Sequence, residues 1–143
     1  MSRLSIHSIP GRLATGAFIL HAGVGKWKAP PERAAGTHGM AAGAFPFLKP
    51  IPPAVFIKLL SVTEVIVGAS LLNPLVRNRL AGAALTAFSG TLLTMYWRTP
   101  TLRQPGSIWP TPAGTAVSKD VWMLGIGLSL IADDLGGKGR SES

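Results

Sequence analysis

The chain has 143 residues, of which 47% are hydrophobic and only 14% are charged, whereas about a quarter of the residues of soluble domains are charged. It contains no cysteine, which excludes a disulfide, a thiol nucleophile and an iron–sulfur cluster held by this chain alone. The net charge of +8 comes from basic residues that lie mostly between apolar runs, so we expect contacts with anionic lipid head groups and no nucleic-acid partner.

The first apolar run follows a short polar arm, residues 1–11. Residues 12–27 are predicted to form the first helix, and we expect it to be retained as a membrane span because no clean signal-peptide cleavage site follows it. Gly16, Gly23 and Lys26 are separated by seven and three positions, so they share one helical face. Small residues on such a face predict close packing against another helix.

The second predicted helix, residues 53–72, is mostly apolar and has the length of a bilayer span. Before it, residues 28–52 are rich in Gly and Pro and are predicted to be a connection too broken to span. Glu64 lies near the middle of the helix, where a charge facing lipid would cost roughly 3 kcal/mol. Ser61, Glu64 and Gly68 share one face, so we expect Glu64 to be buried against other helices.

A short basic turn leads to the third predicted helix, residues 80–97, which must run back antiparallel to the second. Its small and hydroxyl-bearing residues are predicted to pack against a neighbouring helix: these are Gly82, Thr86 and Gly90. The segment 99–114 carries four prolines and is predicted to be a loop.

The fourth predicted helix covers residues 115–132, and its clean apolar part is too short to cross a bilayer alone. It spans only if Asp120 lies near or inside the membrane boundary, so we expect a second buried acid on the face that also carries Gly127. Residues 133–143 are predicted to be a disordered polar tail. The chain as a whole is therefore predicted to be all-α, an integral membrane four-helix antiparallel bundle with one membrane domain at residues 12–132.

One constellation of charged residues is a candidate functional site. It consists of Glu64, Asp120, Lys26 and Lys119, with Arg98 as a further cation. These residues can form buried ion pairs that fix the order of the helices, because unpaired charges in hydrocarbon are costly. Alternatively, they line a polar pocket for a quinone head group, a small sulfur oxyanion or a proton path. The sequence leaves both interpretations open.

Motifs of known catalytic chemistry are absent from the sequence: we find no nucleophile elbow, zinc-protease helix, phosphate loop or dinucleotide fingerprint. The three histidines are scattered, so we expect no intrinsic metal or haem centre. The catalytic residues, if any, stay unassigned, and quinone is the one cofactor considered.

Two stretches carry a resemblance to a known family. RLATGAFILHAGVGKW resembles the arginine, glycine, glycine, lysine pattern that opens DoxX-family membrane proteins, and FPFLKPIPPAVFIKLLSVTEVIVGASLLNPLVRNRLAGAAL is similar to the family's proline-bearing loop, glutamate-centred second helix, basic turn and third helix. The resemblance covers most of residues 12–131. The long proline-rich segment between the third and fourth helices departs from the family pattern, which places any shared ligand or partner surface there in question.

The resemblance implies a multi-pass four-helix bundle in a bacterial plasma membrane. Relatives are associated with thiosulfate:quinone oxidoreductase subunits and with a membrane complex that links a superoxide dismutase and a sulfurtransferase to thiol homeostasis. We therefore expect an accessory subunit or scaffold of a membrane redox complex, with membrane lipids and proteins as partners, rather than a self-sufficient enzyme. The alternatives are a quinone-linked oxidoreductase subunit acting on small sulfur compounds and a small proton-coupled transporter. Both termini are predicted to be cytoplasmic, from the basic residues of the tails and of the turn at 77–79.

Overall fold

The protein is all-α, with no strand, over the residues that the computed structural model describes, 5–112, 114–118 and 120–140. Five of its helices are fourteen residues long or longer, and one is a single turn. In chain order they are α1 (Ile9–Trp27), α2 (Pro31–Ala44), α3 (Pro53–Leu72), α4 (Asn78–Arg98), α5 (Thr115–Ser118) and α6 (Asp120–Arg140).

Two helical regions differ from what the sequence predicts. The connection 28–52 contains α2, which begins at Pro31, where proline's missing N–H costs no hydrogen bond and its fixed φ suits the first turn. In addition, α6 continues to Arg140, through most of the residues predicted to be a disordered tail. That extension has partners on α4, because Asn78 donates a 3.0 Å hydrogen bond to Asp133.

Close glycine contacts join α1 to α3 as an antiparallel pair. Gly16 lies against Leu71 and Gly68, near the end of α3, while Gly23 lies against Glu64, nearer its middle. A Cβ atom at Gly68 would stand only 2.7 Å from the backbone nitrogen of Leu20. Any side chain at these glycines would therefore push the two backbones apart.

The second antiparallel pair is formed by α4 and α6. Gly82 and Thr86 of α4 face Gly127 of α6, and a Cβ atom at Gly82 would lie 2.6 Å from the Gly127 carbonyl oxygen. Gly90 differs, since a Cβ atom there would meet nothing within 4 Å. The two pairs contact each other far less than their members do, around a core of buried apolar side chains: Ile19, Val67, Leu71, Ala81, Leu85 and Leu130.

The antiparallel helices define two ends of the bundle, which we name the turn end and the loop end. The turn end holds the start of α1, the 73–77 turn and the later part of α6. The loop end holds the end of α1, the helix α2, the segment 99–114 and the start of α6. Within the described residues, α3 is the one helix long and apolar enough to cross a membrane by length and composition, a property that core helices of soluble proteins can share.

Candidate functional site

An ion pair lies between α1 and α3 on the loop-end side of the bundle. Lys26 Nζ lies 2.9 Å from Glu64 Oε2, and the two side chains are 18% and 8% exposed. Lys26 stands in the last turn of α1, where the helix dipole favours a cation. Because Gly23 has no side chain, the Glu64 Cβ can pack directly against the α1 backbone. The close contact between Gly23 and Glu64 therefore places the Glu64 carboxylate within reach of the Lys26 ammonium group.

Ser61 adds a second polar contact one turn before Glu64. Its buried hydroxyl donates a hydrogen bond to the carbonyl oxygen of Gly23. Buried hydroxyl groups are costly unless they are hydrogen-bonded, so this contact accounts for a polar residue at the helix interface. The face of α3 predicted to be polar and small thus lies against α1.

Asp120 stands in the first turn of α6, near the Lys26–Glu64 pair but, among the described residues, without an ion pair of its own to Lys26. It is half-buried and lies within electrostatic range of both Glu64 and Lys26. We call Lys26, Glu64 and Asp120 the acid–lysine cluster, in which Lys26 and Glu64 form the ion pair and Asp120 contributes a second carboxyl group nearby.

The two remaining members of the predicted constellation are Lys119 and Arg98. Lys119 lies outside the described residues. Arg98 donates a 3.2 Å hydrogen bond to the Ala44 carbonyl oxygen, and its guanidinium lies 5.3 Å from the Phe45 ring centroid. Arg98 thus fastens the end of α4 to the end of α2.

A second buried polar site, at the turn end, was not singled out from the sequence. Arg12 is 2% exposed, and its guanidinium donates hydrogen bonds of 2.8 to 2.9 Å to four backbone carbonyl oxygens, together with one of 2.7 Å to Asn78 Oδ1. The four carbonyl groups belong to Ser70, Leu71, Asn73 and Val76. Arg12 thereby satisfies acceptors that the end of α3 would otherwise leave unpaired.

This site extends from Arg12 to α6. Asn78 accepts from Arg12 and donates to Asp133, while the next carboxylate, Asp134, lies 3.6 Å from Arg77 and 3.8 Å from Arg79. We call Arg12, Asn78 and Asp133 the turn-end network, and it connects all four long helices other than α2. The sequence contains one indication of this network: Arg12 lies four residues before Gly16, on the helical face that also carries Gly23 and Lys26.

The chemistry available to the acid–lysine cluster is the binding and exchange of protons or the binding of a small polar group. Within the described residues, no group of three or more His, Cys, Asp or Glu side chains comes together in a way that could hold a metal ion. The turn-end network differs in character, because its guanidinium is already fully hydrogen-bonded. The acid–lysine cluster is therefore the better candidate for a functional site.

Comparison with known proteins identified no matching family model, no similar curated protein and no similar solved structure. The resemblance to DoxX-family proteins consequently stays a prediction from the quoted sequence stretches.

Proposed function

We propose that the protein is an integral membrane protein whose four long helices α1, α3, α4 and α6 cross the bilayer. The observation that carries this proposal is the number of large apolar side chains exposed on the outside of the helices, together with charged and polar groups buried between them. The buried groups include Arg12, Ser61 and Glu64. In water the outward groups would be unfavourably hydrated, whereas in a bilayer they would contact acyl chains.

Large apolar side chains are exposed on each of these four helices. In a soluble monomer, contiguous apolar patches of more than a few hundred Å² are rare. The exposed residues include Leu13, Phe18 and Val24 on α1, Val55, Leu59, Val62 and Ile66 on α3, Leu80 on α4, and Val121, Leu128 and Leu135 on α6.

The tryptophans support the same placement. The chain has four, and each is at the loop end and exposed: Trp27, Trp97, Trp109 and Trp122. Two of them stack with cations, since Lys58 Nζ lies 5.2 Å from the Trp27 ring centroid and the Arg103 guanidinium 4.2 Å from that of Trp97. Tryptophan and basic residues together are typical of the membrane–water interface.

Within the membrane, we propose that the chain acts as an accessory subunit or scaffold of a larger complex, of the DoxX-like type. Its acid–lysine cluster would be a small polar site enclosed by apolar helices. A proton-coupled role is the second candidate, and it is favoured by the second carboxylate, Asp120, beside the Lys26–Glu64 pair. Intramembrane ionisable residues are functional candidates by default, and these three come from three different helices.

The absence of native cysteine allows a direct test of the membrane placement. Single-cysteine variants Leu75→Cys in the turn, Ile108→Cys in the 99–114 segment and Ile66→Cys about two thirds of the way along α3 each replace an exposed residue. In intact cells and inverted vesicles, a membrane-impermeant maleimide should label the first two from opposite sides. The third should stay unlabelled until detergent is added, because lipid covers it.

Equal labelling of the three cysteines without detergent would contradict the membrane proposal, because a soluble protein exposes all of them to water. The same variants report orientation, and cytoplasmic termini predict cytoplasmic labelling of Leu75→Cys. The scaffold proposal predicts co-purification of a protein partner in mild detergent. Repeated recovery of the chain alone would contradict it, and proton flux through liposomes carrying the chain alone would favour the second candidate.

A further inference from the structure

A groove lies between the two helix pairs, where α3 and α4 contact each other little. Its volume is about 740 Å³, within the range of about 300 to 1,000 Å³ typical of small-molecule sites. The helix α2 lies along one side of it. The lining is almost entirely apolar and includes Met40, Phe56, Leu60, Phe88, Leu92 and Met95.

The length of the groove matches that of a lipid chain in one leaflet. It follows α3 from Phe56 to Val67 and α4 from Ala84 to Met95, which at about 1.5 Å per residue corresponds to roughly 16 Å along the helix axes. Half of the hydrocarbon core of a bilayer is about 15 Å thick. A chain lying in the groove would therefore reach from one interface to the bilayer midplane.

The lining of the groove reaches the loop end, where basic residues lie nearby. Arg33 is exposed and lines the groove, and it forms no ion pair with a described carboxylate. Phe45, another lining residue, carries the Arg98 guanidinium over its ring. Arg33 and Arg98 thus place two cations at the loop end of an apolar groove. This arrangement is complementary to an anionic head group on an apolar chain.

We propose that the groove binds one acyl chain of an anionic phospholipid from the leaflet at the loop end, with the phosphate group on Arg33. This inference rests on the proposed membrane placement. The bound chain fills space that the loosely associated α3 and α4 leave between them, so the lipid forms part of the contact between the helix pairs.

Native mass spectrometry of the full chain, purified in mild detergent and supplied with phosphatidylglycerol or phosphatidylcholine, tests the assignment. We expect one retained phosphatidylglycerol per chain. Ala87→Phe, which fills the groove from α4, should reduce retention at least tenfold. The matched control Ala17→Phe makes the same change at an exposed position of α1 outside the groove and should leave retention unchanged.

The head-group contact is tested in the same experiment by Arg33→Gln, with Lys28→Gln as the control because Lys28 is exposed but does not line the groove. Only Arg33→Gln should lower the preference for phosphatidylglycerol over phosphatidylcholine, by about tenfold or more.

Equal retention by Ala87→Phe and Ala17→Phe would overturn the groove as the binding site. Equal retention of the two phospholipids by the unmodified protein would overturn the anionic head group, and a co-purified neutral isoprenoid or free fatty acid in place of phospholipid would overturn the assigned occupant. Cysteine labelling separates this inference from the proposal it rests on. A chain that passes the labelling test but shows no selective lipid retention contradicts the groove assignment alone.

Discussion

Replacing Glu64 with leucine should destabilise the protein more than replacing Glu64 and Lys26 together. The carboxylate is 8% exposed and lies 2.9 Å from Lys26 Nζ, and removal of one partner of a buried ion pair costs about 3 to 5 kcal/mol because it leaves the other charge uncompensated. Lys26 is 18% exposed and retains Asp120 nearby, so we expect the lower limit, about 3 kcal/mol, for Glu64→Leu.

In the double variant Glu64→Leu/Lys26→Met, both charges are replaced by apolar side chains of similar size. It should recover at least half of the loss, which corresponds to a coupling of about 1.5 kcal/mol or more between the two substitutions. The measurement is the free energy of unfolding in mixed micelles, from helical circular dichroism during titration with dodecyl sulfate. Lys58→Met is the control, because this exposed cation stacks on Trp27 and its loss should cost about 1 kcal/mol or less.

The reasoning would be refuted by additive losses in the double variant. It would also be refuted if Glu64→Leu were no more harmful than Lys58→Met, since Glu64 would then not be a buried partner.

Three further predictions use the same unfolding measurement. Arg12→Met should destabilise the protein by about 3 kcal/mol or more, because several hydrogen bonds to a charged group are lost and the buried carbonyl oxygens at the end of α3 stay unpaired; a loss under about 1 kcal/mol would show that water replaces the guanidinium. Gly68→Ala should cost about 1 to 3 kcal/mol by forcing α1 away from α3, whereas Gly90→Ala, whose added Cβ meets nothing within 4 Å, should be neutral or stabilising by up to about 1 kcal/mol; equal effects would contradict the glycine-mediated contact. Glu64→Gln keeps an oxygen that can accept from Lys26, so it should lose less stability than Glu64→Leu while abolishing any proton-coupled activity, and retention of that activity would exclude Glu64 as the proton carrier.

The helical faces were predictable from the sequence wherever spacing and residue size carry the information. Gly16 and Gly23 stand at helical intervals, and a lone glutamate in an apolar helix needs a partner from elsewhere, which the structure supplies as Lys26. The coarse all-α class follows from the same periodicity. The crossing of a membrane by four helices remains a proposal, because by length and composition α3 alone among the described helices meets the requirement.

Other features depend on tertiary contacts that no local pattern encodes. The helix α2 contains three glycines, which weaken its local helix propensity, and five alanines, which favour it; its contacts with α3 and α4 add the tertiary support. The continuation of α6 depends on Asn78 and Asp133, which are distant in sequence. Arg98 was predicted to be a further cation of the cluster, but its guanidinium donates a hydrogen bond to the carbonyl oxygen of Ala44 instead. Gly90 follows the pattern of small residues on α4, but no other helix packs closely against it, since an added Cβ would meet nothing within 4 Å.

The turn-end network has a consequence for biogenesis. Arg12 belongs to α1, which leaves the ribosome before α3 and α4, and its five acceptors come 58 to 66 residues later. Until the chain has been synthesised past Asn78, the guanidinium has none of these acceptors and must be kept hydrated or held by another molecule. The helix α1 can therefore reach its final position only when α3 and α4 follow, which couples the assembly of the two halves of the chain.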